Sequence, residues 1–79
     1  MSRYFFHIHE TEGTAEDVDG VEFPNEAAAH KEAVRAARDI MAEYIRKGRD
    51  VSGWSFEITD GSGWPVMAVP FSAAIRRRG

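Results

Sequence analysis

Arg3-Tyr4-Phe5-Phe6-His7-Ile8-His9 is the stretch on which the fold of this chain turns. Its aromatic and β-branched content reads as a strand. Successive side chains on a strand project to opposite sides. Tyr4, Phe6 and Ile8 therefore line one face, and Phe5, His7 and His9 the other. The first set has an evident destination in a hydrophobic core. The second set carries one phenyl ring and two imidazoles, and what meets it is the main functional question.

Working outward, Glu10–Asp17 is polar, contains Gly13 and reads as a hairpin loop. Val18–Phe23 is a weaker second strand, stopped by Pro24, with Asp19-Gly20 as a turn or bulge inside it. Asn25 suits a helix N-cap and Glu26 the first turn. The helical pattern then runs over 26–47, and Gly48 supplies the residue that ends it. Ala33, Val34, Ala36, Ala37, Ile40, Met41 and Tyr44 fall on one broad face, small at its N-terminal end and bulky at the other. Small residues let such a helix sit close to a sheet whose own side chains are large aromatics.

A third strand is expected over about 54–60, where Trp54-Ser55-Phe56-Glu57-Ile58-Thr59 alternates cleanly. Asp60-Gly61-Ser62-Gly63 reads as a hairpin turn and 64–71 as the fourth strand. A two-residue loop at Gly61-Ser62 places Phe56 opposite Met67 and Trp54 opposite Val69. Trp54, Phe56, Ile58, Met67, Val69 and Phe71 then share one face. Pro65 and Pro70 lack an N–H for a ladder, which makes the fourth strand an edge. Chain direction lets the third strand pair antiparallel with the first. The expected fold is a two-layer α+β domain of form ββαββ. Its four-stranded antiparallel sheet has order 2-1-3-4 and one long helix across one face, and residues 72–79 form a basic tail. About 22 helical residues span ~33 Å, against ~20–23 Å for such strands. The Tyr44–Lys47 end is therefore expected to overhang, leaving Ile45 exposed.

With 79 residues the chain makes one small domain, 1–79. It has no cysteine, which excludes thiol catalysis and Cys-based zinc sites. No segment approaches the ~20 apolar residues of a membrane span. The first apolar run is too short, and too interrupted by His7 and His9, for a signal peptide. A soluble, cytoplasmic protein is the expectation. The net charge of −3 favours no nucleic acid globally. The charges are segregated, however: Glu10, Glu12, Glu16, Asp17, Asp19, Glu22 and Glu26 follow the first strand without an intervening cation, and Arg76-Arg77-Arg78 closes the chain.

Four motifs occur in order: R-Y-F-F-H at 3–7, D-x-D-G-V-E-F-P at 17–24, E-A-A-A-H-K-E-A-V-R-A-A-R at 26–38, and F-E-I-T-D at 56–60 followed by V-P-F at 69–71. Together they resemble a family of small alphaproteobacterial proteins, abundant in rhizobia and classed as a domain of unknown function. Trp64-Pro65 departs from the polar residue more usual after the turn. The resemblance implies the fold. It implies no activity, and it carries no role over to His7, His9 or any other position. The order of hairpin, proline and Ala/Glu/Arg-rich helix is also similar to that of HicB-type antitoxins.

Three sets of residues could carry function. Phe5, His7, His9, Trp64 and Val66 are expected on the sheet face that a single helix cannot cover. A contiguous apolar patch there marks an interface, and pairing with a second copy is the leading expectation. Arg35, Arg38 and Arg76, Arg77 and Arg78 could meet phosphates in an antitoxin-like regulator. No aromatic is interleaved with them and no helix-turn-helix motif is present. His7 and His9, about 6.6 Å apart along one face, could ligate a metal with Glu57 as a third ligand. His30 is expected in solvent. No Gly-rich phosphate loop, Ser/His/Asp order or carboxylate pair points to catalysis. The expectation is a protein that is not an enzyme and takes no cofactor.

Overall fold

The computed structural model describes residues 1–75. The expected basic arginines Arg76, Arg77 and Arg78 lie outside the described residues. The strands are β1 (Ser2–Glu10), β2 (Gly13–Ala15), β3 (Val21–Phe23), β4 (Ser55–Thr59) and β5 (Pro65–Pro70). One helix, α1, spans Glu26–Arg46, and a 3-10 turn occupies Phe71–Ala74. The sheet runs β2-β1-β4-β5, all antiparallel, with β3 also on β1. The fold is α+β as expected, with the expected strand order; the expected second strand over 18–23 is shortened to β3, and β2 forms inside the expected 10–17 loop, so that β1 meets two short partners with a break between them.

The break has a physical cause. Ile8–Glu10 pairs with Gly13–Ala15 and Ser2–Tyr4 pairs with Val21–Phe23, and the second register is two residues longer. Residues 16–20 stand opposite only Phe5, Phe6 and His7, and with two residues to spare the segment loops out of the ladder. The expected long loop over 10–17 is instead a tight turn at Thr11-Glu12. Gly13-Thr14-Ala15 is exposed throughout, so its strand carries no apolar alternation to read.

Both helix ends match the sequence. Asn25 Oδ1 accepts the Ala28 N–H at 2.8 Å. At the other end Gly48 takes φ 79°, its N–H donates to the Ile45 carbonyl, and the Arg49 N–H reaches back to Tyr44. These are the two bonds of a Schellman motif, and the left-handed residue is the one that lacks a Cβ. On the sheet-facing side only Ala29, Ala33 and Ala37 are buried, spaced one turn apart. Ile40, Met41 and Tyr44 are half-buried and pack against the core. Ile45 is 60% exposed, as the overhang requires.

Aromatic rings fill the space above the sheet. Tyr4, Phe23, Phe6, Phe56, Phe71, Trp54 and Tyr44 form an unbroken chain of ring contacts, with centroids 5.1–6.3 Å apart and no pair parallel. Tilted and edge-on pairs of this kind add stabilisation beyond their buried area. Phe71 and Ile58 sit at its centre, fully buried. The expected tail therefore starts later than residue 72: Phe71 and Ala74 are buried in the 3-10 turn, and Arg38 Nε donates to the Ala74 carbonyl at 2.7 Å.

The β4–β5 hairpin corrects the expected register. Phe56 faces Val69 and Ile58 faces Met67, two residues off the pairing above. One residue comes from the turn, a three-residue loop with Gly63 at φ 85°, closed by Asp60 N–H to the Trp64 carbonyl. The other comes from a bulge between Ile58 and Thr59, which leaves Val66 as the surplus residue. Two slips preserve the faces of Met67, Val69 and Phe71. Between the slips parity is inverted, because a one-residue shift moves a side chain to the other face. Val66 therefore packs against the core, and Trp64 pairs beside Asp60 at the hairpin tip instead of joining Thr59 on the outer face.

Candidate functional site

The helix covers one side of the sheet. The other side is crossed by no helix or strand among the described residues. Its register brings Phe5 beside Thr59, His7 beside Glu57 and His9 beside Ser55, with Pro65, Ala68 and Pro70 continuing across β5. Of the five expected interface residues, Phe5, His7 and His9 meet here. Trp64 is 68% exposed at one end of the hairpin, and Val66 belongs to the core side.

Asp17 organises the margin of this face. Where the ladder is broken, its Oδ2 accepts the Phe6 N–H at 3.0 Å, replacing the missing strand. Its Oδ1 accepts the N–H groups of Asp19 and Gly20. Burial acts to raise its carboxyl pKa, but those three N–H groups and the nearby His7 ring outweigh burial, and the net shift is downward. Arg3 clamps the same loop, donating to the carbonyls of Asp19 and Gly20 and to Glu22. Gly20 has φ 70° and lies so close that an added Cβ would stand 2.9 Å from Phe5 Cε2, Arg3 Cγ and the Tyr4 carbonyl. The loop thus lies against the Phe5 ring, and the His7 ring runs nearly parallel to Phe5 at 8°.

The Asp17 N–H donates to His7 Nδ1 at 3.1 Å. An Nδ1 that accepts carries no proton, so the proton resides on Nε2, which donates to Thr59 Oγ1 at 3.2 Å. A histidine beside a hydroxyl suggests a nucleophile and its base, but this tautomer is the wrong one. A general base must accept the hydroxyl proton at Nε2, and here Nε2 is the donor. Thr59 is also buried. His7 and Thr59 form a structural link between β1 and β4.

His9 stands at the open end of the same row. Its Nδ1 lies 3.0 Å from Thr14 Oγ1, and its Nε2 lies 3.5 Å from Glu57 Oε1. Both groups of that pair are close to half exposed, so it contributes little to stability. Among the described residues no three His, Asp or Glu side chains converge as metal ligands, and His7, His9 and Glu57 are no exception.

The helix arginines are engaged within the chain. Arg35 donates to both Glu32 oxygens and to Asp39 at 2.6–2.9 Å. These contacts raise the Arg35 pKa, Glu32 first, and lower that of Glu32. Arg38 is spent on Ala74. His30 is exposed, as expected. No helix among the described residues is long and apolar enough to cross a membrane. The sequence reading missed Asp17, whose position in an acidic run hid it. The signal available was its place two residues before Asp19-Gly20, where a carboxylate can gather turn N–H groups.

Residues 3–72 match the model of a family described as a domain of unknown function, DUF6894. The chain belongs to that family. The match takes in the helix and, but for Ser2, all five strands of this DUF6894 domain, including the Asp17 loop and His7. No curated protein and no solved structure matches it.

Proposed function

We propose that this domain is a non-enzymatic interaction module that pairs with a second copy of itself through the outer face of its sheet. The observation that carries the reading is the ring chain. Seven of the nine aromatic residues take part in it, and the two left out are Phe5 and Trp64. Phe5 lies on the uncovered face beside Thr59, half-buried against the Asp17 loop, and Trp64 is exposed at the hairpin tip.

The size of the face sets the strength. Four strands at ~4.8 Å spacing and some six residues long give roughly 400 Å² in projection. A standard interface takes ~800 Å² from each partner. The pair is therefore weak, with Kd in the micromolar range or above. Sedimentation velocity from ~10 μM to ~1 mM tests it, a span chosen to bracket that Kd. Reversible dimerisation that Phe5→Glu abolishes is expected. A strict monomer at the highest concentration, or a dimer unchanged by Phe5→Glu, overturns the proposal.

A further inference from the structure

The outer face of the sheet has a carboxylate at its middle. In the order β2-β1-β4-β5 the inner strands are β1 and β4, and the middle of their five residue pairs is His7 with Glu57. A two-fold interface is isologous, so the middle of the patch meets its own counterpart in the second copy. Among the described residues, three carboxylates stand on the strands: Glu10, Glu22 and Glu57. Glu10 falls by parity on the helix side. Glu22 is paired with Arg3 at 3.1 Å, toward the other end of β1. Glu57 is the one that pairing encloses.

Enclosing a carboxylate that has no cationic partner is costly. The strands beside Glu57 limit what that partner can be. β5 carries no titratable side chain, and neither does β2. From β1, His7 and His9 face it. His7 is fully engaged as a neutral ring, with the Asp17 N–H on Nδ1 and Thr59 on Nε2. The Asp17 carboxylate nearby is turned to the N–H groups of Phe6, Asp19 and Gly20. His9 has the freedom that His7 lacks. Its Nε2 lies 3.5 Å from Glu57 Oε1, and its Nδ1 lies 3.0 Å from Thr14 Oγ1. A protonated His9 offers one N–H to each of them and cancels the charge of Glu57. A neutral His9 leaves that charge uncompensated.

We propose that pairing through the outer face is proton-linked: His9 of each copy takes up a proton as the face closes, neutralising the Glu57 beside it. The inference rests on the outer-face reading above and adds its regulation. Its sign is fixed by the proton count. The closed pair holds more protons than two free copies, so association strengthens as pH falls through the histidine range, about pH 8 to 5, and weakens as pH rises. Loss of the partner of an enclosed interfacial charge weakens association about tenfold or more.

Sedimentation velocity at about pH 6 and about pH 8 tests this, at about 0.15 M salt so that overall charge is screened. The parent should dimerise about tenfold more tightly at the lower pH. Glu57→Gln has no charge to neutralise. It should pair equally at both pH values, as tightly as the parent in acid. His9→Gln should keep the weak, high-pH constant at both. Equal parent constants at the two pH values, or a pH dependence that survives in either variant, overturn the proton linkage. In those cases a dimer that Phe5→Glu abolishes leaves the outer-face reading standing. A strict monomer at both pH values, in the parent and in Glu57→Gln alike, overturns both.

Discussion

Replacing Asp17 with alanine removes the acceptor for three backbone N–H groups, those of Phe6, Gly20 and Asp19, at 3.0, 3.1 and 3.2 Å. The Asp19 amide is exposed and turns to water at little cost. Those of Phe6 and Gly20 are partly buried, and a hydrogen bond to an ionised acceptor contributes ~1.5–3 kcal/mol. Partial solvation puts both at the low end, so the expected loss is about 3 kcal/mol. A domain of this length has a total stability of about 4–12 kcal/mol. The melting temperature should fall by about 12–24 °C. Asp17→Asn keeps one acceptor oxygen and should recover about half of the loss. The pH dependence has a definite sign. Because the folded-state pKa lies below the ordinary carboxylate value, the stabilisation is complete above about pH 4 and disappears as pH falls through the depressed value. The alanine variant should lack that part of the acid destabilisation. Urea unfolding followed by circular dichroism from pH 2.5 to 7 measures the loss, its partial recovery and its pH dependence, and a thermal scan measures the melting temperature. An alanine variant within ~0.5 kcal/mol of the parent, the scatter of ordinary surface substitutions, would refute the assignment of Asp17 as the substitute for the missing ladder.

Gly20→Ala forces a Cβ to within 2.9 Å of Phe5, Arg3 and the Tyr4 carbonyl at a left-handed backbone position. A loss of about 1–3 kcal/mol is expected in the same urea assay, with the amide resonances of Arg3–Phe5 moving most. Arg35→Ala and Arg38→Ala should separate clearly. Arg35 makes only exposed pairs, and its loss should leave the urea midpoint within the scatter of ordinary surface substitutions. Loss of Arg38 frees the Ala74 carbonyl and should speed hydrogen exchange at Ile75, whose N–H closes the 3-10 turn onto Ser72.

The layer architecture was readable because its signals are periodic. Alanines at one-turn spacing, clean alternation at 54–59 and two prolines on the last strand each have one physical meaning, and they agreed. The hairpin register was not readable. It depends on a bulge and an extra turn residue, and neither leaves a mark on alternation once the two slips cancel. Trp64 and Val66 were assigned to the wrong face for that reason, since they lie between the slips. The outer-face trio Phe5, His7 and His9 was legible from parity alone. Its surroundings were not, because the Asp17 loop is held by carboxylate-to-amide bonds, and these follow no sequence period.

The two tryptophans differ sharply in environment. Trp54 is 7% exposed and wedged between Tyr44 and Phe71, whereas Trp64 is 68% exposed on a turn pinned by Asp60. The domain thus carries two built-in optical reporters. Emission from Trp54 should be blue-shifted and follow unfolding, while emission from Trp64 should be red-shifted, open to collisional quenchers and responsive to whatever approaches the hairpin tip. With Trp64→Phe to separate the two signals, association and unfolding can be read in one cuvette without an attached dye.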